Sequence, residues 1–313
     1  MYHLGIDIGG TNLKFGLLNK RFELVEDNSI KMPKSLDLES IKNTLLDKIE
    51  KIAQKYKLSS VGIGVPGIID NGGTIVESPN IPALNGFNFL EFLQSSIPQR
   101  IGYNIPIKLE NDANIAAIAE MTIGSGVNYD NFIYITLGTG VGGAIILNRQ
   151  LFRGNQGSAG EIGHMIFNPL AKPKKRAYRT GVLEEYLGKK AIISYAKRIA
   201  HKYPNSVLNK SQMFDIISIS DYADKGDELA IACMEKIGFY LGITVISLAN
   251  LLDINHFIVG GGISKSSDYF YNKAKEIANK RALPHLQGRI IIEKAKFSSK
   301  AGIIGSAIFG AIK

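Results

Sequence analysis

The stretch Ile6-Asp7-Ile8-Gly9-Gly10-Thr11-Asn12-Leu13-Lys14-Phe15-Gly16-Leu17-Leu18-Asn19 decides the fold, because a glycine turn of the same kind recurs later in the chain. The second reads Ile135-Thr136-Leu137-Gly138-Thr139-Gly140-Val141-Gly142-Gly143-Ala144-Ile145-Ile146-Leu147-Asn148, and it aligns without a gap, Gly138 on Gly9 and Asn148 on Asn19. Each is an apolar strand, a tip of glycine and threonine, and a second apolar strand. Such a tip leaves backbone N–H groups bare and lets an anion come close to them. Two tips facing each other across a cleft would hold a polyphosphate from both sides, the layout expected of a protein that moves a phosphoryl group.

The rest of the chain is consistent with two domains. Its 313 residues exceed the size at which one core usually stops growing. Hydrophobic content of 45% with 21% charged residues is ordinary for a globular protein. The 33 glycines exceed the average of about 7%, and they gather in the two tips and at 260–262. The net charge of +9 has two readings, attraction of polyanions or a lysine-rich solvated surface. The densest basic stretch, Lys172-Pro173-Lys174-Lys175-Arg176, has no helical period and reads as a solvated loop. No nucleic-acid partner is expected. Cys233 is alone, which excludes an intrachain disulfide and a cysteine-rich zinc site, and its apolar helical context reads as core. A strand begins at His3 with no room for a signal peptide, and the apolar run from Ala301 to Ile312 is too short to span a bilayer. A cytoplasmic protein with no membrane partner is the expectation.

Along the chain, the first hairpin is followed by a third strand (24–31), a helix (37–56) with apolar Ile41, Leu45, Leu46, Ile49 and Ile52, and a buried strand from Val61 to Val65. A segment rich in Pro and Asn leads to a short helix. Strand Ile107-Lys108-Leu109 then runs into Glu110-Asn111-Asp112, and a helix starts near Ala113. The second half repeats the plan: hairpin 132–148, an irregular insertion 151–182, helices to about 225, a long helix (227–251), strand 254–259 and a closing helix, strand (289–293) and helix. The long helix, apolar nearly all round beyond Phe239, reads as buried between layers. Two similar α/β domains with a cleft between them is the economical reading. Their expected limits are 1–112 plus 297–313 for the first and 113–296 for the second.

Four constellations carry chemistry. Asp7 heads the first tip, where a carboxylate would repel a phosphate unless a cation lies between; it implies Mg²⁺ held through water. Thr11, Asn12 and Thr139 add side-chain donors to the tips formed with Gly9, Gly10, Gly138 and Gly140. Asn111-Asp112 lies at a strand's C-terminal end, where α/β folds place ligands, and at a helix N-terminus, whose dipole favours an ionised carboxylate. A helix cap accounts for one of these two residues. An ionised Asp112 beside a phosphoryl acceptor takes the proton of an attacking hydroxyl. The fourth is Gly157-Ser158-Ala159-Gly160-Glu161-Ile162-Gly163-His164, whose small residues suggest close approach of a ligand, with Glu161 and His164 gripping neighbouring sugar hydroxyls.

These motifs, together with Gly62-Ile63-Gly64-Val65-Pro66-Gly67 and Glu110-Asn111-Asp112-Ala113-Asn114, occur in the order that resembles the ROK family of bacterial sugar kinases and related repressors. The resemblance covers residues 3–310. It implies an α/β fold of two similar actin/hexokinase-like (ribonuclease H-like) domains with a nucleotide and sugar cleft between them. It also implies ATP-dependent phosphorylation of a hexose, most often glucose at its 6-hydroxyl, with ATP and Mg²⁺ as cofactors. On the resemblance, Asp112 matches the catalytic base; Asn111, Glu161 and His164 match sugar-binding positions; Glu184 matches the glutamate near the anomeric end. Asn85 is a further sugar contact, and Gly260, Gly261 and Gly262 match the turn that flanks the adenosine.

The chain departs from the family pattern in two places. The three cysteine positions of the usual zinc loop fall on Lys175, Ala177 and Val182, so no zinc site is expected. Asn12 stands where members often carry Lys, a charge that Lys14 or a metal would offset. The expected activity is that of a glucokinase-like sugar kinase. The alternatives are an N-acetylmannosamine, N-acetylglucosamine, fructose or allose kinase, or a sugar-responsive regulator without catalysis. A DNA-reading repressor would need a helix-turn-helix ahead of the first strand. A homodimer is the expected assembly.

Overall fold

The computed structural model describes every residue except Leu36, Ser298 and Lys313; the last two belong to the segment 297–313 and lie outside the described residues. The chain forms two compact units, one of Met1–Asn128, Leu151–Ala159 and Ser299–Lys313, the other of Tyr129–Gln150 and Gly160–Ser298. The first contains β1 (Tyr2–Ile8), β2 (Asn12–Leu18), β3 (Leu24–Lys31), α1 (Leu38–Lys55), β4 (Leu58–Val65), a ribbon of β5 (Ile68–Ile69) and β6 (Ile75–Glu77), α2 (Phe89–Ile101), β7 (Ile107–Asn111) and α3 (Asp112–Ile123). The second contains β8 (Phe132–Leu137), β9 (Val141–Leu147), β10 (Gln150–Phe152), α4 (Glu184–Leu187), α5 (Lys189–Ile199), α6 (Val207–Ser211), α7 (Ile216–Asp224), α8 (Glu228–Leu252), β11 (His256–Gly260), α9 (Asp268–Arg281) and β12 (Ile291–Lys294). The last helix, α10 (Ala301–Ala311), belongs to the first unit.

The internal repeat is a repeat of topology. The first sheet runs β3-β2-β1-β4-β7 and the second β10-β9-β8-β11-β12, so strands taken in chain order occupy the same places in each. In both, the tip joins an antiparallel pair (β1 with β2, β8 with β9) and the next two strands add in parallel on the other side. β4, between two neighbours, is buried on both faces and correspondingly apolar: every one of its residues from Ser60 to Val65 is buried.

α10 lies against β1 and β4, close enough that a Cβ on Gly62 would overlap the Ser306 carbonyl and one on Gly5 the Ile303 carbonyl. Ile303, Ile304, Ala307 and Ile308 are buried. The sequence reading closes the first domain at Asp112, whereas contacts keep α3 with the first unit. The reason is physical: Ala113 through Met121 are all buried, and α3 packs on α10.

The 25-residue α8 is apolar and long enough to cross a membrane by composition alone, yet 61% of its most apolar window is buried. It packs against α9, α7 and α5. Cys233 sits on this helix, fully buried, and burial pushes its thiol up to about 12, so it stays protonated and unreactive.

Candidate active site

In the first unit the β1–β2 tip is closed by the Gly9 N–H donating to the Asn12 carbonyl at 2.9 Å. Gly10 and Thr11 at its apex are exposed. Asn12 opens β2 opposite Lys31 of β3. Asp7 and Lys14 are cross-strand partners in the hairpin register, which brings Lys14 Nζ to 3.1 Å from Asp7 Oδ2. Lys14 therefore sets a positive charge directly beside Asp7. Mg²⁺ is usually held by one or two carboxylates plus water and substrate phosphate. The partly exposed carboxylate of Asp7 beside an exposed tip is compatible with that donor set.

The β7–α3 junction is built around two buried or half-buried polar groups. Asn111 is the N-cap of α3: Oδ1 accepts from the N–H of Ala113 (2.8 Å) and Asn114 (3.3 Å), while Nδ2 donates to the Gly67 carbonyl at 2.8 Å. Much of its amide is thus committed to the backbone. Glu110 is fully buried; Oε1 accepts from the Asn111 N–H (2.8 Å) and from Asn114 Nδ2 (3.0 Å), and Oε2 lies 2.9 Å from Arg153 Nε. That last contact is a close charge pair without hydrogen-bond alignment. Between these anchors Asp112 starts α3 as an exposed residue, Oδ1 accepting the Ala113 N–H at 2.8 Å. Asn85 is also exposed, and its Oδ1 accepts the Ser78 N–H at 2.7 Å, tying together the loop before α2.

In the second unit the β8–β9 tip is closed by the Gly138 N–H to the Gly140 carbonyl at 3.0 Å, with Thr139 exposed at the apex. Glu184, the first residue of α4, meets this tip. Its Oε2 accepts the Val141 N–H at 3.1 Å, and it lies so close to Gly140 that a Cβ there would overlap it. Arg179 Nη1 approaches its other oxygen at 3.5 Å. The structure thus places Glu184 against the second glycine tip.

Glu161 and His164 do come together, Nε2 to Oε2 at 3.9 Å, each about one-third exposed. The small residues around them have a structural cause that the sequence reading missed. Gly160, at φ +88°, lies against the Gly143 carbonyl, and Gly163 against that of Val141, so the loop rests directly on the β9 backbone. Close backbone packing, rather than ligand approach alone, requires glycine there.

The following loop is ordered by hydrogen bonds. Phe167 and Asn168 N–H both donate to the Gly181 carbonyl (2.7 and 2.8 Å), and Leu183 N–H to Met165 (2.9 Å). Lys174 pairs with Glu185, whose other oxygen accepts the Gly181 N–H at 2.9 Å. Val182, at a cysteine position of the zinc pattern, is buried.

Gly260, Gly261 and Gly262 follow β11 and have separate roles. Gly260 lies against the Tyr134 ring; Gly261, at φ +83°, lies against the Leu137 carbonyl; only Gly262 has open space beside it. The charge pair between Glu110 and Arg153 had no signal in the sequence. The two residues are far apart along the chain, and periodicity reports only neighbours.

Two α/β units of one topology, each bearing a glycine tip, define a protein of the actin/hexokinase-like class. The chain belongs to the ROK family, whose profile matches residues 3–311. It is 31% identical to a glucokinase of Halalkalibacterium halodurans over 97% of this chain and 93% of that protein. A ROK family glucokinase from Streptomyces griseus, solved in complex with glucose and AMPPNP, superposes with a TM-score of 0.80 at 28% identity, covering 99% of both chains. A xylose repressor of Bacillus subtilis is 28% identical over 97% of this chain and 75% of its own length.

Proposed function

We propose that this protein transfers the γ-phosphoryl group of ATP to a hexose, with glucose as the acceptor and glucose 6-phosphate as the product. The observation that carries the reading is the β7–α3 junction: a capped helix start presents the exposed carboxylate of Asp112 in the same unit as the Gly9–Asn12 tip. In this reading the backbone N–H groups of Gly10, Thr11, Thr139 and Gly140 bind the phosphates, Gly138 lets the second tip turn closely enough to meet them, and Gly262 gives room to the nucleoside. Asp7 would hold Mg²⁺, which would supply positive charge to offset that of the phosphates. Glu161 and His164 pair with sugar hydroxyls, together with the remaining hydrogen-bonding capacity of Asn111 and Asn85. Asp112 orients the acceptor hydroxyl and accepts its proton as the oxygen attacks phosphorus.

The relatives named glucokinase support the reading, as does the bound glucose and AMPPNP of the Streptomyces griseus protein. The test is ADP release from ATP, measured with glucose, mannose, fructose, N-acetylglucosamine, N-acetylmannosamine and allose in turn. The expected result is sugar-dependent release with the highest kcat/KM for glucose. Release with another hexose alone would move the acceptor and keep the chemistry. Sugar binding without release would place the protein with the regulators of the family.

A further inference from the structure

Burying the Glu110 carboxylate removes it from water, which is tolerable only when charge and hydrogen bonds replace the lost solvation. One of its oxygens is served by the Asn111 N–H and Asn114 Nδ2; the other faces Arg153 at 2.9 Å. Asn111 and Asn114 bracket Asp112, so the groups that satisfy Glu110 also shape the turn on which Asp112 stands. Arg153 comes from the separate segment Leu151–Ala159, which joins the first unit from far along the sequence. Its Nη2 also lies 3.5 Å from the Asp70 carbonyl. Arg153 is therefore fixed by backbone on one side and aimed at a single buried carboxylate on the other.

We infer that Arg153 is a positioning residue for phosphoryl transfer: by neutralising Glu110 it holds the β7–α3 turn, and through that turn the Asp112 carboxylate. The inference rests on the sugar-kinase reading. Without the guanidinium, Glu110 is a buried charge lacking its counter-ion. It turns toward water, and so loosens its hold on the Asn111 N–H and the Asn114 amide. Asp112 then sits away from the acceptor hydroxyl while the phosphate tips are untouched.

The experiment compares wild type, Arg153→Met, Arg153→Lys and the double variant Arg153→Met/Glu110→Gln, with kcat, KM for ATP and sugar, and thermal midpoint for each. Misplacing a reacting group by about 1 Å costs up to roughly 10²-fold, so Arg153→Met is expected to lose roughly 10- to 10²-fold in kcat with little change in KM for ATP. The double variant leaves no charge to compensate, and its amide can still bond the Asn111 N–H; it should turn over several-fold faster than Arg153→Met, a recovery that mere loss of packing would not give. A wild type inactive with every sugar overturns the kinase reading itself. An active wild type with Arg153→Met at full kcat, or a double variant no faster than Arg153→Met, overturns this inference. Should Arg153→Met melt below the assay temperature, Arg153→Lys decides: lowered kcat at an unchanged midpoint supports the inference, and unchanged kcat ends it.

Discussion

Asp112 and its neighbour divide the work of one junction. Asn111 caps α3 with its side-chain oxygen, and its amide nitrogen bonds the Gly67 carbonyl; Asp112, one residue on, is exposed. A cap is worth about 1 kcal/mol and is a matter of stability. An exposed carboxylate in the first turn is not needed to complete that cap; in the proposed reading it serves proton transfer. Asp112→Asn should therefore fold normally and lower kcat by at least ~10², the low end for loss of a general base. ADP release measures the rate, and calorimetric titration of sugar shows whether binding survives. Turnover within a few-fold of wild type would remove Asp112 from the role of base.

At the scale of elements, what was legible followed from how far each signal reaches along the chain. The hairpins could be read because strand, tip and strand are contiguous, and the apolar stripe Ile41, Leu45, Leu46, Ile49 gave α1 its buried face. The junction Glu110-Asn111-Asp112 was visible as a polar cluster ending an apolar strand. The Glu110–Arg153 pair was not visible, nor the Asp7–Lys14 pairing, which follows from hairpin register rather than composition. Glu184 is the instructive case. Its sequence neighbourhood places it by resemblance at a sugar, while α4 presents it to the Val141 N–H beneath the second tip. Glu184→Ala separates the two roles, since it removes the acceptor of the Val141 N–H and leaves the backbone of the tip as it is. If Glu184 supports the tip, KM for ATP should rise about 10-fold, the equivalent of ~1.4 kcal/mol, with KM for sugar little altered. A rise confined to sugar KM would assign Glu184 to the sugar.

For the whole molecule, the repeated sheet order explains why the first unit needs the last helix. Its β1 and β4 are apolar and lined with glycine where α10 crosses, so chain from the far end completes a core begun at residue 2. Each buried aliphatic side chain on α10 contributes about 1.5–3 kcal/mol when removed from water, and Ile303, Ile304 and Ile308 all qualify. The contact is backbone against backbone, which leaves no side chain to yield. Gly62→Ala should thus push α10 off β4 and destabilise the first unit by at least ~1–3 kcal/mol, the usual cost of overpacking. Hydrogen exchange distinguishes this from general loosening, because units defined by separate cores open separately. Faster exchange is expected in peptides covering β1, β4, α3 and α10, with α8 and α9 of the second unit retaining their protection. Equal acceleration in both sets of peptides would mean that α10 stabilises the chain as one cooperative body, and unchanged exchange everywhere would mean that the Gly62 contact is not close enough to matter.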